Sequence, residues 1–217
     1  MKKIEAVDLR DDLEMLTDFE KRVDEVLAQE ECLGDCVIKG VLGSEQDFLE
    51  LSVENARFEN CRLLDCSFKK SSFKNVSFRN CDFSGSRFEE AYFSQCEWTG
   101  CKALGSSFSQ GVFKNILMAD NNMKYTDFDG SQWRWAHWEG VDFTGAFMTQ
   151  SRLKDLEVLT CNFTQTAFFK TPLKGLDLTS SIIEGIQVSD TLGELRGARI
   201  DPFQAAGLMR ILGIEVV

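Results

Sequence analysis

Hydrophobic and polar positions alternate along most of this chain with a period of five. Every position whose number ends in 3 or 8, from Val53 to Val188, is apolar, 28 in succession. Phe58, Phe68, Phe73, Phe78, Phe83, Phe88 and Phe93 open the series, and Trp98, Met118, Met123, Trp133 and Trp138 continue it. A second register two residues earlier holds small side chains, among them Ala56, Cys61, Cys66, Ser71, Val76, Cys81 and Ser86. The remaining positions are mostly Ser, Asn, Gly, Lys, Arg, Asp and Glu. Five matches neither the 3.6 of a helix nor the 2 of a flat strand. It predicts a coil with a turn in every pentapeptide, one large and one small residue pointing inward, and three facing water. One coil cannot bury its own inner face, so the coils must stack and stabilise one another.

The two ends follow other rules. Residues 8–31 place Leu9, Leu13, Leu16, Val23 and Val26 near helical spacing. They predict an amphipathic helix with Asp8 as N-cap and Asp11 and Asp12 favourably placed in its first turns. Its expected role is to cover the open edge of the first coil, where backbone groups lack partners. Residues 1–35 are read as an N-terminal helical cap, 36–200 as the repeat body and 201–217 as a terminal helix and tail. Residues 32–52 are expected to form one irregular coil. The register slips by two residues at Thr191–Gly193 and resumes at Leu195 and Ile200. Asp201 then suits an N-cap, Pro202 the first helical position and Gly213 the C-terminal cap. Within the body one strain is expected. Around Lys114–Tyr125 the small inward slots hold Ile116 and Asn121, and a buried Asn needs partners, so this coil is expected to repack or bulge.

Composition explains itself through the repeat. Thirteen of the 18 Phe lie in the large column, and seven of the eight Cys lie in the small one. The cysteines are therefore read as core residues. No CxxC spacing and a single His, His137 at an outward position, argue against a zinc site. No nucleophile elbow, phosphate-binding glycine loop or supported acid–base pair is found, so no enzyme, cofactor or metal is expected. No stretch approaches the ~18 apolar residues of a membrane span, and the first residues lack the apolar core of a secretory signal. A cytoplasmic protein with reduced thiols is expected.

The runs ENCRL, LDCSF, NVSFR, NCDFS and EAYFS resemble the pentapeptide-repeat family. The resemblance implies an all-β solenoid, a right-handed quadrilateral parallel β-helix with four pentapeptides per coil. The end of the chain, FQAAGLMRILGIEVV, is similar to that of the Qnr-type fluoroquinolone-resistance proteins. In that family, and in the related MfpA, the terminal segment makes a two-fold dimer whose rod resembles B-form DNA and binds DNA gyrase and topoisomerase IV. The resemblance therefore implies these partners, and a homodimer through Phe203, Leu208, Met209, Ile211, Leu212, Ile214 and Val216. Some Qnr proteins carry loops that project from the β-helix; residues 53–188 contain no such insertion. The alternative is an interaction scaffold or toxin-immunity protein with another partner.

Charge tests the DNA-like reading. The formal net charge is −11, from 35 acidic and 24 basic residues, which argues against a protein that grips nucleic acid through a general basic field. Residues 1–52 hold 15 acids and 6 bases, net −9, whereas residues 53–190 hold 17 and 15, net −2. Positions twenty apart should share a side of the rod. The side centred on Phe58 to Leu178 then collects Glu59, Glu97, Asp120, Glu139, Glu157 and Asp177 against Arg57 and Arg79, net −4. The side centred on Val53 to Leu173 collects Lys74, Lys114, Arg134, Arg152, Lys154 and Lys174 against Glu54 and Asp155, net +4. The acidic side is the expected partner-binding face. Seven coils at ~4.8 Å each make a rod of ~34 Å. A tip-to-tip dimer would match about 20 base pairs at ~3.4 Å each.

Overall fold

The computed structural model describes residues 4–215. An extended segment with a short strand, β1 (Glu14–Met15), leads into helix α1 (Phe19–Gln29). The coils begin with β2 (Leu33–Lys39) and β3 (Leu42–Ser44), followed by β4 (Ser52–Glu59) and β5 (Arg62–Leu64). Strands β6 (Ser72–Arg79), β7 (Tyr92–Thr99), β8 (Val112–Ala119), β9 (Gln132–Glu139) and β10 (Arg152–Leu159) mark the later coils. Helix α2 (Pro202–Met209) and a 3-10 turn (Arg210–Leu212) close the chain. All strand pairs are parallel, and from β2 to β10 paired residues are twenty apart: Leu33 with Val53, Val53 with Phe73, Phe73 with Phe93. The result is a quadrilateral parallel β-helix.

The corners explain the fifth position. Residues at multiples of five adopt positive φ at every corner from Glu30 to Gly175, as at Asn55 (51°), Asn75 (54°) and Asn115 (53°). Left-handed backbone is tolerated best by Gly, Asn and Asp, which is why those residues recur there. Gly145 illustrates the additional steric demand. A Cβ built on it would lie 2.6 Å from the Tyr125 ring one coil below.

Inside, the large column is a stack of rings. Of the 28 apolar positions, all but Leu153 are buried. Phe93 lies between Phe73 and Phe113, at 4.9 and 5.0 Å between centroids, with interplanar angles of 7° and 4°. A coil's stability depends on its neighbours, so a gap here removes contacts on both sides. Phe93→Ala should cost about 3–5 kcal/mol, read as a lower denaturation midpoint. The small column is closed by polar pairing: the Ser71, Ser86 and Ser106 hydroxyls donate to the carbonyls of Phe48, Leu63 and Phe83.

The Lys114–Tyr125 coil does not bulge. Strand β8 keeps unbroken register with both neighbours, Ile116 lying between Cys96 and Ala136. Asn121, 2% exposed, finds its partners within the stack. It donates to the Trp98 carbonyl at 2.9 Å and accepts from the Cys101 N–H at 2.7 Å. The coil of residues 33–52 is likewise more regular than expected, since it already keeps the twenty-residue offset.

The N-terminal helix starts ten residues later than its hydrophobic spacing predicts. Asp18, not Asp8, is the N-cap, accepting from the Lys21 N–H. Residues 5–8 instead run along one corner of the rod, and after a turn at 11–12 the chain joins β2 through β1. Asn75 accepts from the Asp8 N–H at 2.8 Å and donates to the Asp8 carbonyl at 2.7 Å, and Gln95 donates to the Ala6 carbonyl. These pairings, with β1 against β2, satisfy the backbone better than a helix in water would. The shortened α1 still caps the core, with Phe19, Val23 and Val26 buried and Phe19 edge-on to Phe48 and Phe58.

At the other end the two-residue slip is present. Leu178 N–H bonds to the Arg199 carbonyl, and Asp177 bridges Arg199, an offset of 22. The 3-10 turn Gly193–Leu195 takes up the extra residues. Its Glu194 is buried and accepts from the Ser189 hydroxyl at 2.7 Å and from the N–H groups of Ser189 and Lys170. Burial by itself would raise the carboxyl's pKa, but these hydrogen bonds outweigh it and the pKa is lowered. A depressed carboxyl stabilises the fold above its unfolded value and loses that contribution as pH falls through the folded one. Glu194→Gln should therefore cost about 1–2 kcal/mol at pH 7 and flatten the loss of stability between pH 5 and pH 3 in thermal melts.

Candidate partner-binding faces

Two flat sides meet at the corner that carries Asn55, Asn75, Gln95 and Asn115. On one side the register stacks Arg57, Ser77, Glu97, Leu117, His137 and Glu157 in one row, and Glu59, Arg79, Thr99, Ala119 and Glu139 in the next. Asp120 sits at the corner beyond, and Asp177 extends the side into the last coil. The six expected acidic residues therefore do share one side.

Their charges are not all available. Glu59 pairs with Arg57 at 3.6 Å and with Lys39 at 3.4 Å. Asp177 pairs with Arg199 at 3.0 Å, and bonds from the Thr179 hydroxyl and N–H, aided by Arg199, hold its carboxyl below the usual range. Lys39 and Arg199 come from coils outside the repeat count. With them the side carries six acids and four bases, net −2 rather than −4. The remaining anionic stretch is the exposed Asp120, Glu139 and Glu157 with the half-buried Glu97. His137 lies inside it, with Nδ1 3.1 Å from Glu157 and Nε2 3.4 Å from Glu139. Expected only to face outward, His137 bridges two acidic rungs. The twenty-residue offset to Glu157 was the available signal.

The adjoining side stacks Glu54, Lys74, Ser94, Lys114, Arg134 and Lys154. Lys74 is neutralised by Glu54 at 2.8 Å. Lys114 lies over the Tyr92 ring and Arg134 over the Trp135 ring, at 5.1 and 4.0 Å. The corner between the two sides is occupied by the N-terminal segment, which hydrophobic spacing alone did not disclose.

The C-terminal tip is a third surface. A capping box joins Asp201 and Gln204, and Gln204 also donates to the carbonyls of Leu178 and Ser181, fixing α2 on the last coil. Leu208 is buried in this contact, so it serves the chain's own core rather than an interface. Phe203 is 90% exposed, Ile214 48% and Ile211 36%, and Met209 is half-buried. Between α2 and the last coil lies a groove of about 730 Å³ lined by Ile182, Ile183, Phe203, Leu208 and Ile211. The Leu212 side chain and Val216 lie outside the described residues.

All eight cysteines are free thiols, seven of them buried. Burial pushes the Cys36 and Cys161 thiols up to about 11 and Cys96 up to about 12, which suppresses the reactive thiolate. Among the described residues no cluster of metal-ligating side chains occurs, and no helix is long and apolar enough to cross a membrane.

Residues 51–128 match the family model of the pentapeptide repeat region. The stacked coils described above carry the same twenty-residue register beyond both ends of that segment. The chain is similar to solved structures of two trypsin-treated variants of QnrB1, a plasmid-mediated fluoroquinolone resistance protein. Identities are 17% and 23% and the TM-score is 0.46 for each; 83% of this chain is covered, with 99% and 90% of theirs. It is also similar to HetL, a pentapeptide repeat protein involved in heterocyst differentiation regulation from Nostoc sp. strain PCC 7120. There identity is 10% and the TM-score 0.28, over 85% of this chain and 93% of that one. No curated protein matches the chain.

Proposed function

We propose that this protein is a non-catalytic, DNA-mimicking rod that binds DNA gyrase and topoisomerase IV and protects them from fluoroquinolones. The observation that carries the reading is the anionic stretch on one flat side: Glu97, Glu139 and Glu157 lie on successive or alternate rungs of a rigid stack, with Asp120 beside them. Such a row suits a basic surface shaped for a phosphate backbone. The terminal FQAAGLMRILGIEVV and its likeness to the Qnr-type tail point to the same partners.

The working unit is a homodimer joined at the C-terminal tips. Phe203 is too exposed for a residue of its size on a finished surface. It stands beside an apolar groove that a second copy's Phe203 can enter, and a two-fold contact of this kind is self-complementary. Doubling the rod brings its length to that of about 20 base pairs at ~3.4 Å each.

A gyrase supercoiling assay with and without a fluoroquinolone tests the reading. The protein is expected to restore supercoiling in the presence of the drug. Neither rescue nor inhibition at micromolar protein would overturn the topoisomerase assignment and favour a scaffold with another partner.

A further inference from the structure

The basic side of the rod has no role in this reading, yet it is the more concentrated of the two charged surfaces. Lys114, Arg134 and Lys154 stand on consecutive rungs of one row. Arg152 flanks them on the Lys154 rung, paired in register with Gln132, and Lys174 follows one coil later. Among the described residues none of these five forms an ion pair, unlike Lys74, Lys124 and Arg57. Two carboxylates stand at the adjacent corner, Asp155 and the Glu5 carboxylate, which accepts from the Asn115 amide at 3.3 Å. The patch is therefore about +3 on a chain whose total is −11.

We propose that this side binds the phosphate backbone of duplex nucleic acid without reading its sequence. From Lys114 to Lys174 is three rungs, ~14 Å at ~4.8 Å each. Over that length one strand of a duplex presents about four phosphates at ~3.4 Å each, one for each of the four rungs. The face is a flat β surface, so its cations reach a straight polyanion together. Two of them are already ordered. Stacking of Arg134 on Trp135 at 4.0 Å leaves the guanidinium edge free for a phosphate, and Lys114 is held over Tyr92. Ordered side chains lose less entropy on binding. The acidic total does not forbid this, because charges more than ~8 Å away are largely screened at physiological salt. The inference is independent of the topoisomerase reading.

The test is fluorescence anisotropy of a labelled 20-base-pair duplex of arbitrary sequence, titrated with the full-length protein in 100 mM salt. Binding is expected with a dissociation constant on the order of 100 µM, weakening about eightfold when the salt is doubled, as three to four phosphate contacts require. The triple variant Lys114→Glu, Arg134→Glu, Lys154→Glu should bind at least about tenfold more weakly, each lost contact contributing to that slope. A second variant, Arg152→Ala with Lys174→Ala, keeps the two stacked cations and should weaken binding about threefold if the triple variant does not fold. Absence of wild-type binding at millimolar protein overturns the proposal, as does binding that neither variant reduces. Poly-glutamate of equal charge competing as well as unlabelled duplex would also overturn it, in favour of an acidic protein partner.

Discussion

Phe203→Asp combined with Ile214→Asp is expected to give a soluble monomer with half the wild-type mass by light scattering. Both side chains project from the C-terminal tip, at 90% and 48% exposure, so neither change should disturb the coils. Large aromatic residues at interface centres typically contribute 2 kcal/mol or more each. A carboxylate in that position must also be desolvated without a partner. Leu208→Asp is the instructive contrast. Leu208 is buried against the last coil, so this change should lower the melting temperature as well as disrupt assembly. A wild-type protein that is already monomeric at micromolar concentration would remove the dimer from the account.

The second large effect belongs to the acidic side. Glu97→Gln, Glu139→Gln and Glu157→Gln together should weaken topoisomerase binding by about 2 kcal/mol, roughly 30-fold, and flatten its dependence on salt. The same treatment of Glu59 and Asp177 should do much less, because Arg57, Lys39 and Arg199 already engage those carboxylates. Unequal effects would separate a docked face from charge that only keeps a long rod soluble. No effect from either set would show that another side meets the partner.

That distinction was only half legible in the sequence. A five-residue period fixes which side chains point inward, so the Phe stack, the buried thiols and the sharing of one side by six acids follow from counting. Counting also places the C-terminal slip, because Leu195 and Ile200 resume the apolar register. It does not reveal pairing across the ends. Lys39 and Arg199 lie outside the uniform repeat, and only the 22-residue offset brings Arg199 beside Asp177. The N-terminus failed for a different reason. Leu9, Leu13 and Leu16 have helical spacing, but the amides of Asn75 and Gln95 capture the backbone of Asp8 and Ala6, and such tertiary pairing overrides a marginal local preference. One signal was present and unused. Gly40, Gly85, Gly100, Gly105, Gly130, Gly140, Gly145, Gly175 and Gly185 all fall on multiples of five, marking the left-handed corners.

The central claim is that the rod takes the place of DNA on a topoisomerase. Displacement of a labelled duplex from gyrase by the wild-type protein tests it most directly. The signal should fall with increasing protein, competitively with duplex concentration, and the triple Glu→Gln variant should need about 30-fold more protein for the same displacement. Release of no DNA at micromolar protein, or release independent of duplex concentration, would contradict it.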